Sequence, residues 1–157
     1  MTMTRTRLFS ALAALTTLLL TCACEPLTKE EKARATEYVG TVTVEYKGET
    51  NKNPDIRVHY LPADDGGSAR IVIYRIRFVP HMPVTIDVTI PDVSVTQNGQ
   101  GFSLQADNVI PLALGGEYEK YRVTALSGTL TDNKLSFSLN FGEYPTSFTG
   151  TLTADPS

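Results

Sequence analysis

From Tyr38 to Leu152 apolar side chains return at every second position, and no other feature limits the possible folds so tightly. Tyr38, Val42, Val44 and Tyr46 share one face, against Thr41, Thr43 and Glu45 on the other. Ile56, Val58 and Tyr60 alternate with Arg57, His59 and Leu61. The next run places Val72, Tyr74, Ile76 and Phe78 on an inward stripe, opposite Ile71, Ile73, Arg75 and Arg77. Val84, Ile86, Val88 and Ile90 come next, then Val93 and Val95 beyond Pro91, Phe102 and Leu104, and Tyr121, Val123 and Ala125. Leu135, Phe137, Leu139 and Phe141 lead to Phe148 and Leu152. A period of two belongs to strands with one buried face, the pattern of antiparallel sheets.

The breaks between runs are short and chemically suited to turns. Asp64-Asp65-Gly66-Gly67-Ser68, Gly115-Gly116 and Asp132-Asn133 tolerate positive φ, and Asn98-Gly99 is the strongest hairpin signal. Pro54, Pro80, Pro83 and Pro145 fall at run ends, where a missing N–H does little harm. No run after Thr36 has the helical period that a parallel crossover needs. About eight strands in a meander are predicted, an all-β antiparallel up-and-down barrel whose closure removes exposed edges.

The front of the chain has a different character. Arg5 and Arg7 precede an uncharged stretch from Leu8 to Ala23, apolar through Leu20 and too short to span a bilayer. A positive start, a short apolar stretch and small residues before the break read as an export signal. The stretch Leu20-Thr21-Cys22-Ala23-Cys24 resembles a lipobox, where a bacterial cysteine is lipidated and becomes the mature N-terminus. Cys24, preceded by small Ala23, is chosen over Cys22, preceded by Thr21. A disulfide between residues two apart seldom meets the required geometry. Without Arg5 and Arg7 there remain 12 basic and 17 acidic residues, a formal charge of −5, so net charge does not hold the chain to anionic lipid or to nucleic acid.

Residues 24–36 read as a tether. Thr28 and Glu31 have the spacing of a capping box, enough for one helical turn, but no apolar stripe offers a packing face, so a solvated segment is expected. The predicted organisation is a signal over 1–23, the tether, a barrel over 37–153 and a tail over 154–157.

Residues 37–153 resemble the calycin-like β-barrel domain of small lipoproteins of the Bacteroides group. The resemblance is carried by Tyr38-Val39-Gly40-Thr41-Val42-Thr43-Val44, Met82-Pro83-Val84-Thr85-Ile86-Asp87-Val88 and Ile90-Pro91-Asp92-Val93-Ser94-Val95. Leu126-Ser127-Gly128, Lys134-Leu135-Ser136-Phe137 and Phe148-Thr149-Gly150 fit the same pattern. It implies a lipocalin-like barrel at the cell envelope, anchored to the outer membrane and facing the periplasm or the exterior. It transfers no catalytic or ligand residue, and Gly40 with Val42 echoes the lipocalin Gly-x-Trp start without its tryptophan.

For chemistry the sequence offers little. His59 and His81 have no neighbour at a metal-ligand spacing and read as surface residues. Asp64 and Asp65 lack the alternating oxygen ligands of a calcium loop, and Asp87, Asp92, Glu117 and Glu119 form no evident acid pair. Arg57, Arg70, Arg75, Arg77 and Arg122 read as an outward basic set that either keeps sheets apart or meets an anion. Tyr46, Tyr60, Tyr74 and Tyr121 are the candidate ligand-binding residues, lining a barrel mouth or simply filling the interior. The expected function is non-enzymatic, with no cofactor, metal or nucleic acid: a membrane-tethered module for a small apolar ligand or an envelope protein. The alternative is a filled barrel acting only through protein contacts.

Overall fold

A computed structural model describes residues 26–153. The expected signal and Cys24 lie outside the described residues.

Ten strands run in chain order: β1 (Thr36–Tyr46), β2 (Glu49–Pro62), β3 (Ser68–Ile76), β4 (Ile86–Asn98), β5 (Gly101–Ala106), β6 (Leu112–Ala113), β7 (Gly116–Glu117), β8 (Val123–Leu130), β9 (Lys134–Phe141) and β10 (Tyr144–Leu152). Eight of them pair in the cycle β1-β2-β3-β4-β5-β8-β9-β10, and β10 returns to β1, which closes an antiparallel barrel. The two-residue strands β6 and β7 form a small hairpin on the first half of β4. Two hairpin loops are two residues long and begin with positive φ: Gly99-Gln100, one residue beyond the expected Asn98-Gly99, and Lys47-Gly48, which sequence reading did not single out. Across β1 and β10, Gly40 stands opposite Gly150, and a Cβ on Gly40 would collide with the Thr149 carbonyl.

Four strands carry an extra residue. The register slips at Pro54-Asp55 on β2, Tyr74-Arg75 on β3, Pro91-Asp92 on β4 and Ala125-Leu126 on β8. At each slip one residue (Asp55, Arg75, Asp92, Ala125) has φ between 53° and 59°. A bulge bends its strand and flips the phase of the residues beyond it. Pro54 and Pro91 therefore sit inside long strands, at the one kind of interior position that tolerates proline, and not at run ends as expected for Pro54.

The bulge on β3 overturns the phase expected there. Ile71 and Ile73 point into the core with Ile76 and Phe78, whereas Val72 and Tyr74 lie on the outer wall. Ala125 and Val84, also expected inside, are exposed, the first at its bulge and the second at 58%. The barrel interior is one continuous cluster running from Tyr38 and Leu135 to Phe78 and Phe141.

Residues 26–35 form the expected helical turn, with no buried residue in the helix itself, but the segment is docked on the barrel through the residue before it. The capping box forms as spaced: Glu31 N–H donates to Thr28 Oγ1 at 3.1 Å and Thr28 N–H donates to Glu31 Oε2 at 2.9 Å, starting the helix α1 (Lys29–Arg34). Leu27, just before it, is 1% exposed and packs outside the barrel on Leu61 and Val72, with Ala35 and Tyr74 beside it. A single apolar residue ahead of the helix does what an apolar stripe on the helix does not. Arg70 ties the helix to β3 through Glu31 at 3.0 Å.

Candidate functional site

The start of β1 and the end of β10 lie side by side, so the chain enters and leaves the barrel strands at one end. The opposite end is closed by rings. After β3 the chain turns over that mouth and inserts Phe78, which stacks on Tyr121 with centroids 4.2 Å apart. Phe78 also meets Phe141 edge-on at 5.5 Å and Tyr144 at 5.4 Å. Tyr118 leans on Tyr121 at 4.8 Å, and Tyr46 on Tyr144 at 5.2 Å. Lys47 and Lys120 hold their ammonium groups 5.0 and 5.8 Å from the Tyr46 and Tyr121 ring centres. Burial pushes the Tyr121 phenol above its ordinary acidity range, and neighbouring Tyr118 and Tyr144 add to this. This mouth is a plug of rings.

Of the four tyrosines singled out by sequence, Tyr46 and Tyr121 meet in this plug. Tyr60 is buried near the other end, beside Tyr38, and its phenol is raised first by burial and then by Tyr38. Tyr74 is on the outer wall. The four do not line one cavity, because the Arg75 bulge reverses β3 and because Tyr60 lies at the far end of its strand.

The outer wall carries the most developed polar constellation, and sequence reasoning missed it. Glu37 and His59 are direct partners across β1 and β2, and Tyr74 lies diagonally across on β3. His59 Nε2 is 3.0 Å from Glu37 Oε2 and its Nδ1 is 2.9 Å from the Tyr74 hydroxyl. A carboxylate only accepts, so Nε2 donates to Glu37, while Nδ1 and the Tyr74 hydroxyl share the second hydrogen bond. The row links three strands and holds the phenol oxygen at the floor of a groove. Only the strand register, which periodicity does not set, could have brought these residues together.

That groove, about 1410 Å³, is the seam between β2 and β3. Among the described residues the β2–β3 ladder runs only from Val58–Ile73 to Pro62–Ala69, and below it the strands part. Asn53 bridges the gap with its side chain: Oδ1 accepts from Arg77 N–H at 3.0 Å, and Nδ2 donates to the Arg77 carbonyl at 3.1 Å. Asn51 Nδ2 donates to the same carbonyl at 2.9 Å. Asp87, a candidate acid by residue type, accepts the bulged Arg75 N–H at 2.9 Å, and so has a structural role.

The outward arginines separate into two groups. Arg70 pairs with Glu31, and Arg122 with Glu119 at 2.7 Å, while Arg57, Arg75 and Arg77 all line the groove. His81 is exposed in its turn, and Asp65 accepts Gly67 N–H at 2.9 Å in the loop before β3. Among the described residues no three His, Cys, Asp or Glu side chains are placed to hold a metal ion.

Barrel closure agrees with what known proteins show. The sequence matches the calycin-like beta-barrel domain over residues 35–155. The chain belongs to the calycin-like β-barrel family. The fold is similar to the crystal structure of a proposed outer membrane protein of Bacteroides fragilis, with a TM-score of 0.52 and 16% identity over 77% of this chain. At that identity the likeness is one of fold. The calycin-like chain spans about half of that protein, 52% of its length. Among curated proteins none matches it.

Proposed function

We propose that this calycin-like chain is an envelope lipoprotein, fastened through Cys24, whose filled barrel works as a non-enzymatic contact module through its outer wall. One observation carries the reading: the interior is occupied by side chains. Phe78, Phe141 and Phe148, with Ile71, Ile73, Leu104 and Leu135, are each under 2% exposed in one cluster, where a lipocalin-type ligand would otherwise sit. The polar groove and the charged side chains stand outside. An outer-membrane address is supported by the fold's likeness to the Bacteroides fragilis protein and by the lipobox-like residues before Cys24.

Native mass spectrometry of the protein released gently from its own membranes tests the module. A co-purifying envelope protein supports it, whereas a stoichiometric apolar small molecule held inside the barrel overturns it. Palmitate labelling tests the anchor. It is expected to vanish in Cys24→Ala, and label that persists there moves the anchor to Cys22.

A further inference from the structure

We propose that the open seam between β2 and β3 is an anion-binding groove that takes the phosphate headgroups of anionic lipids in the membrane to which the chain is fastened. The inference rests on the proposed Cys24 anchor.

The arginines are treated differently here than elsewhere. Arg34 pairs with Asp64 at 3.2 Å, Arg70 with Glu31 and Arg122 with Glu119. Arg57, Arg75 and Arg77 are exposed on one groove, and among the described residues none of their guanidinium groups has a hydrogen bond or ion pair. Glu37, Asp55 and Asp87 line the same groove and keep their charge, but with Lys32 and Lys52 the lining carries five cationic side chains against these three carboxylates, so the groove is positive on balance. This is local, since the chain as a whole is acidic, with a formal charge of −3.

The groove is also built. Asp87 clamps the backbone of Arg75, and Asn51 and Asn53 clamp that of Arg77, so two guanidinium stems rise from fixed points. Planar guanidinium groups suit phosphate oxygens because they bind in pairs of parallel hydrogen bonds. A partly open seam of about 1410 Å³ is far larger than one phosphate and fits headgroups presented from a surface.

Position selects the occupant. Pro26 lines the groove, and Cys24 lies only two residues before it. Two residues span at most about 7 Å, so acyl chains on Cys24 bring this wall of the barrel to the bilayer surface. There an unpaired cation is attracted to anionic lipid within a Debye length, even though the whole protein is acidic.

The mature lipidated protein is reconstituted in vesicles of phosphatidylcholine alone or mixed with phosphatidylglycerol, and arginines are labelled with phenylglyoxal and counted by mass spectrometry. Labelling of Arg57, Arg75 and Arg77 is expected to fall about fivefold with phosphatidylglycerol, while Arg122 is unchanged. Equal labelling in both vesicles overturns the groove, as does an equal fall at Arg122, which would be diffuse attraction. Protection by inorganic phosphate over phosphatidylcholine, as strong as that by phosphatidylglycerol, overturns the lipid assignment in favour of a free anion. Failure to float on phosphatidylcholine removes the anchor and with it the membrane assignment. Flotation with equal labelling leaves the anchor standing and removes only the groove.

Discussion

Leu27 is the residue on which the position of the N-terminal segment turns. Its side chain is 1% exposed on Leu61 and Val72, so shortening it removes most of the apolar contact that holds α1 to the wall. Leu27→Ala is expected to weaken docking by about 2 kcal/mol or more. Amide exchange across residues 29–35 should quicken while the barrel's denaturant midpoint stays near that of the parent, and a barrel that unfolds earlier would show that the segment is part of the global fold. Glu31 adds a pH dependence. Its carboxyl is held below the ordinary value of 4.5, first by the Thr28 backbone N–H and, against a burial penalty, by Arg70. A lowered carboxyl contributes stability above its unfolded value and loses it as pH falls through the folded one. Protection of α1 should therefore fade on acidification, and Glu31→Gln, which keeps an acceptor for the cap, should flatten that dependence. The capping box is legible as a sequence spacing. Leu27 is not, because one apolar residue beside a polar helix has no period.

At the scale of the element, the bulges decide which side chains meet. Alternation locates the strands, but one extra residue reverses every side chain beyond it, and nothing in Ile71-Val72-Ile73-Tyr74, apolar on both faces, marks the phase. That is why periodicity puts Tyr74 inside while the fold sets it beside His59, and why the Glu37–His59–Tyr74 row is hidden in the sequence. Pro91-Asp92 is the contrast, since the apolar residues resume at Val93 and Val95 beyond it and so show the inward phase, although the bulge itself is not marked. The bulge on β8 gives a direct test. Ala125 is exposed with φ 53°, and its N–H donates to Asp107 Oδ1 at 3.0 Å. A non-glycine residue there costs roughly 1–2 kcal/mol, against about 0.5–1 kcal/mol for the greater chain entropy of glycine. Ala125→Gly is thus expected to stabilise by roughly 0.5 kcal/mol, the reverse of the usual effect in a strand, and Asp107→Ala to destabilise by about 1 kcal/mol. Urea midpoints of the two variants check both signs, and a destabilised Ala125→Gly would mean that the bulge does not strain the backbone.

For the whole molecule, closure and interior packing are two separate outcomes of one pattern. Closure is legible only in part, because runs of two-residue period joined by short turns fit an open sandwich as well as a barrel, and the barrel is favoured for removing the exposed edges. Whether the interior is full is not legible, since the same inward rings can line a cavity or fill it. The answer depends on Phe78, which comes from the loop after β3 and reaches Tyr121, Phe141 and Tyr144 together. A single large ring at the meeting point of three others is the stopper of this barrel. Phe78→Ala is expected to cost about 3–5 kcal/mol, because rigid neighbours collapse only partly into the space. It should also open an apolar hollow, since a cavity walled by rings stays dry and accepts small apolar guests. The parent protein should leave the fluorescence of a naphthalene-type apolar dye unchanged, whereas Phe78→Ala, studied below its lowered melting point, should enhance it and gain thermal stability on adding toluene. Equal dye binding by the parent would mean that the barrel already holds an accessible cavity, and the function would then belong to its inside.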